Sequence, residues 1–154
     1  MTDEAESIPS PEDMIKMLWA HADGAAERAL EQLGTPLCSN NLSTFLSDDA
    51  CLRFSTSLLY TEEGLENGQF AQPFFYTEGE SRCCKLHIHP RYKRLSEAIP
   101  YLVAYMVAPI NYGEVADSEL CEHLGSMLVK VDRETFYQEI CRLADWRPSA
   151  GDNV

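Results

Sequence analysis

The first clear rhythm in the chain is helical. Ile15, Leu18, Ala22, Ala25, Ala29 and Leu33 recur at three- and four-residue steps, leaving Lys16, Asp23, Glu27, Arg28 and Glu31 for solvent. Ser10, Pro11 and Asp13 supply a cap, a preset first residue and a capping-box partner, and Gly34 with Pro36 supplies the stop. The pattern predicts a long amphipathic first helix.

The period then changes to two. In the stretch from Cys51 to Tyr60, Leu52, Phe54, Thr56, Leu58 and Tyr60 share one face, as in a half-buried strand. The run 41–47, Asn-Leu-Ser-Thr-Phe-Leu-Ser, is expected to be its hairpin partner across Asp48-Asp49. A third strand is expected over 69–77, with Pro73 marking an edge or a bulge, and a fourth over 82–89 after a turn at Gly79. A second helical region is expected after Pro90, kinked or divided at Pro100. A short helix closed by Gly125, a strand over 126–131 and a last helix capped by Asp132 with Phe136, Ile140 and Leu143 inward complete the order. The expectation is an α+β single domain over residues 10–147, with helices on a four- to five-stranded antiparallel sheet and disordered tails over 1–9 and 148–154. Element order and acidity resemble those of small secretion chaperones and of bacterial adaptor or immunity proteins, with no shared motif.

Composition changes this picture in two ways. Twelve cations stand against 25 acids, for a net charge of −13, which disfavours nucleic acid and anionic membranes as partners. The longest apolar run, Ala98–Ile110, has 13 residues, whereas a bilayer helix needs about 20, so it is a core segment. With no export leader visible, the reading is cytoplasmic, with the six cysteines reduced.

Charge is also segregated. Arg82, Lys85, Arg91, Lys93 and Arg94 fall between Ser81 and Ser96 with no acid among them, while the remaining seven cations share the chain with all 25 acids. Strand alternation places Cys84, Leu86 and Ile88 on a core face and Cys83, Lys85, His87 and His89 on the opposite one. The candidate binding set is therefore Arg82, Lys85, His87, His89, Arg91, Lys93 and Arg94, suited to a small anionic ligand or an acidic segment of another protein. One bland reading competes with it. The island can pair with the chain's own acids, Glu78, Glu80 and Glu97 among them. His21, on the first helix, is a core-edge histidine.

A His-x-His pair can also present two metal ligands. The alternative site is Cys83, His87, His89 and His123 around zinc in a metal-binding protein or hydrolase, although the neighbouring cations would repel the ion. Cys83, between Arg82 and Lys85, is the thiol with the most cationic surroundings. No glycine-rich phosphate loop, nucleophile elbow or H-E-x-x-H helix is present. The leading expectation is a non-enzymatic binding or adaptor protein with a basic recognition face and no cofactor. The sequence leaves room for a homodimer.

Overall fold

A computed structural model describes residues 8–148. Residues 1–7 and 149–154, which hold most of the two expected tails, lie outside the described residues. The helices are α1 (Pro11–Leu33), α2 (Leu42–Ser47), α3 (Ile99–Tyr112), α4 (Ser118–Val129) and α5 (Arg133–Asp145), and the strands are β1 (Ser55–Tyr60), β2 (Ala71–Glu78) and β3 (Ser81–Ile88).

Helix α1 begins as its capping residues require. The Ser10 hydroxyl accepts from the Asp13 N–H at 3.1 Å, the Asp13 carboxylate accepts from the Ser10 N–H, and Gly34 ends the helix in the left-handed region at φ 77°. Its buried stripe is Ala22, Ala26 and Ala29, with Leu18 and Trp19 half-buried against the same core, while Ile15 is 57% exposed, so the first two turns of α1 stand clear of the core. Helix α5 buries Phe136, Ile140 and Leu143, the three residues its periodicity marks. The apolar run of α3 is core: Leu102, Val103, Ala104, Val107 and Ala108 are all buried, and Pro100 sits in the first turn, where no backbone N–H is missed. Two 3₁₀ segments, Pro90–Arg94 and Ser96–Ala98, replace the expected helix ahead of Pro100.

The sheet corrects the expectation. It has three strands in the order β1-β3-β2, with β1 parallel and β2 antiparallel to β3, in place of a four- to five-stranded antiparallel sheet. Two predicted strands are helical. Residues 42–47 form α2 because Leu42, Phe45 and Leu46 share one helical face, and Phe45 and Leu46 bury it. Residues 126–129 continue α4 past Gly125, where a side chain would meet the Phe136 ring, its Cβ only 2.4 Å from Cζ. Gly125 is thus a site of close helix packing, and the stop comes at Lys130 in the left-handed conformation.

Without a hairpin partner for β1, the chain crosses from β1 through residues 61–70 to β2 at the other side, and the β2–β3 hairpin returns β3 to the middle. The Phe70 carbonyl accepts from the His89 N–H at 2.9 Å. Antiparallel alternation then turns the polar backbone of Pro73 away from β3, the position in an edge strand where a missing N–H is tolerated. Cys84, Leu86 and Ile88 join the residues of α1, α3, α4 and α5 in one apolar cluster.

Candidate binding face

The register assigns each side chain of the sheet to a face. Thr56, Leu58, Tyr60, Ala71, Pro73, Phe75, Cys84, Leu86 and Ile88 form the core-side rows. The opposite face carries Ser57, Lys85 and Phe74 in one row, Leu59, His87 and Gln72 in the next, and Ser55, Cys83 and Tyr76 in a third. Leu59 and Tyr76 are 42% and 38% exposed there, and Lys85 stands between them with its ammonium 5.5 Å from the Tyr76 ring centroid. Aromatic surface and a cation are thus displayed together on a face that no helix takes into the core.

Residues 61–70 fold back over one end of this face. The His87 Nδ1–H donates to the Glu63 carbonyl at 2.8 Å, and the imidazole packs on Phe74 with ring centroids 4.3 Å apart. Gly64 makes the approach possible. Its φ of 82° is left-handed, and a Cβ there would lie 2.4 Å from the Phe74 ring.

The predicted cationic set is distributed over four places. Lys85 and His87 lie on the open face. Arg82 belongs to the core-side row at the end of β3, stacked 5.7 Å over Phe54 and 5.2 Å over Phe75. His89 and Arg91 turn into a separate cleft of about 550 Å³ lined also by Glu62, Glu66 and Arg147. Lys93 and Arg94 are exposed on the 3₁₀ turn.

Arg91 and its neighbour serve the end of α5. The Tyr92 hydroxyl donates to the Leu143 carbonyl at 2.5 Å, and Arg91 Nη2 donates to the Ala144 carbonyl at 3.1 Å and to the Tyr92 hydroxyl at 2.8 Å. The Leu143 carbonyl also accepts from the Trp146 N–H, and the Ala144 carbonyl from Arg147 Nη1, each at 3.1 Å; both carbonyls carry the negative end of the helix dipole, which the buried phenol and the guanidinium reinforce. His89 is held as the neutral ring: Nδ1 accepts from the Arg91 N–H at 3.1 Å, leaving Nε2–H to face Glu62 at 3.4 Å. Burial, then the charge of Arg91, holds its pKa below the ordinary value of 6.5, with Glu62 opposing.

Among the described residues, Arg82, Lys85 and Lys93 form no ion pair within 4.0 Å. Arg142 on α5 pairs with Glu139 of the same helix. The metal alternative is not assembled: His123, on α4, meets Asp23 of α1 at 2.6 Å and packs on Trp19. No three His, Cys, Asp or Glu side chains among the described residues are grouped to hold a metal ion. Of the cysteines, Cys51, Cys84 and Cys121 are buried, and burial pushes the first two thiols up to about 11 and the third to about 12, which leaves them poor nucleophiles at neutral pH. No helix of the described residues is long and apolar enough to cross a membrane.

The sequence missed the exposed apolar part of the face. Leu59 and Tyr76 are far apart in the chain and meet Lys85 only through the order β1-β3-β2. Alternation within the predicted strands was the available signal, but it needed the pairing to place them. Comparisons with known protein families, with curated proteins and with solved structures find no match to this chain.

Proposed function

We propose that the chain is a non-enzymatic binding protein that recognises a segment of another protein, acidic and partly apolar, on the open face of its sheet. The observation that carries this reading is the joint exposure of Leu59, Tyr76 and Lys85 on a face left uncovered by the helices, in a chain whose net charge is −13. A lone lysine free of ion pairs offers a carboxylate partner an attraction that no internal acid already satisfies, and the flanking apolar rows supply area. Phe74 and His87, clasped by residues 61–70, make one end of the platform rigid, which lowers the ordering cost of binding. The experiment that tests the reading is chemical footprinting of Lys85 with and without captured partner. Protection of Lys85 is expected.

A further inference from the structure

A second cleft, of about 510 Å³, opens between α1, residues 49–53 and the end of α3. Arg28 and Arg53 line it, and neither has a carboxylate within 4.0 Å among the described residues. Arg53 is held in place from two sides. Its N–H donates to the Oδ1 of buried Asn111 at 2.9 Å and its Nη1 to the Asn111 carbonyl at 3.3 Å, with the Phe54 ring 5.1 Å from the guanidinium. Most of its five donors remain unspent.

Beside it, the Tyr112 hydroxyl and His21 Nδ1 are hydrogen-bonded at 2.8 Å, and the Arg28 charge acts on the same phenol. The remaining walls are largely apolar, with Leu18 and Ala25 from α1 and Leu52 opposite. Asp49 is the one carboxylate in the lining. Two arginines against one aspartate leave a formal excess of one positive charge in the lining, which one negative charge balances.

We infer that this cleft is a binding site for an organic monoanion, a carboxylate on a short alkyl body, with Arg28 and Arg53 holding the carboxylate and Leu18, Ala25 and Leu52 taking the chain. The volume is that of small-molecule sites. A guanidinium fork matches a carboxylate in two parallel hydrogen bonds. The site is separate from the open sheet face and does not depend on it.

Titrating the full chain with octanoate, followed by backbone amide NMR, tests the assignment. Saturable shifts at Ala25, Leu52 and Tyr112 are expected, with octanamide, which has the same alkyl body but no charge, binding at least about tenfold more weakly. Arg28→Gln, at an exposed helix position, is expected to keep the spectrum of the fold and to weaken octanoate by about tenfold, and Asp49→Asn to tighten it. Equal binding of octanamide, unchanged affinity in Arg28→Gln, or no saturable shift at these residues overturns the inference.

Discussion

Two residues of the cationic stretch show how sequence chemistry is redirected by packing. Tyr92 is fully buried, and its hydroxyl stands between the Arg91 guanidinium and the Leu143 carbonyl. Tyr92→Phe is expected to destabilise the fold by about 1 kcal/mol, because it removes the phenol's hydrogen bonds to the Leu143 carbonyl and to Arg91, while the Trp146 N–H and the Ala144 carbonyl still serve those two groups. A urea midpoint equal to that of the unchanged chain would remove this role. His89 carries a pH dependence of definite sign. Its folded pKa lies below 6.5, so the unfolded chain takes up the proton first, and its contribution to stability is intact above 6.5 and is lost as pH falls through the folded value. Urea unfolding at pH 7.5 and 5.5 is expected to show a smaller loss on acidification in His89→Gln than in the unchanged chain, with an equal loss counting against it. Strand alternation did foretell that Lys85 and His87 share a face. It did not show that residues 61–70 would cover His87 or that His89, past the end of β3, would enter a different cleft, since a loop's landing place leaves no periodic mark.

Among the elements, α1 was legible because a cap, a 3.6-residue period and a glycine stop agree along one segment, and α5 because of its period, the expected cap Asp132 standing at its start without a side-chain capping bond. The segments 42–47 and 126–129 were misread for a common reason. Short apolar runs satisfy both periods, and tertiary contacts settle the choice. Gly125 is the sharper case: as a helix stop it is a local signal, whereas its use depends on Phe136 arriving from α5. Gly125→Ala is therefore expected to destabilise by about 1–3 kcal/mol, although alanine favours helix, since the fully buried Phe136 ring cannot move aside. Replacing Phe136 by Leu in that background should recover part of the loss. Thermal unfolding of the single and double variants checks both, and a Gly125→Ala protein as stable as the unchanged chain would contradict the packing argument. The parallel pairing of β1 with β3 lies beyond any local pattern, because it follows from where the 61–70 crossover delivers β2.

For the whole molecule, the segregation of charge was visible in the sequence, but the single basic surface it suggested was not what folding makes of it. Arg82 stacks at the sheet end, His89 and Arg91 face the 62–69 cleft, and Lys85 remains among apolar neighbours on the open face. The proposed function puts the contact with another protein on this open face. The chain's four lysines, Lys16, Lys85, Lys93 and Lys130, provide an internal comparison. The decisive measurement is acetylation footprinting by mass spectrometry of the free chain and of the chain in complex with a protein it captures. Lys85 is expected to lose reactivity in the complex while Lys16 and Lys130 keep theirs. Protection of Lys16 or Lys130 with Lys85 unchanged would place the contact elsewhere and rule out the open face as the binding surface.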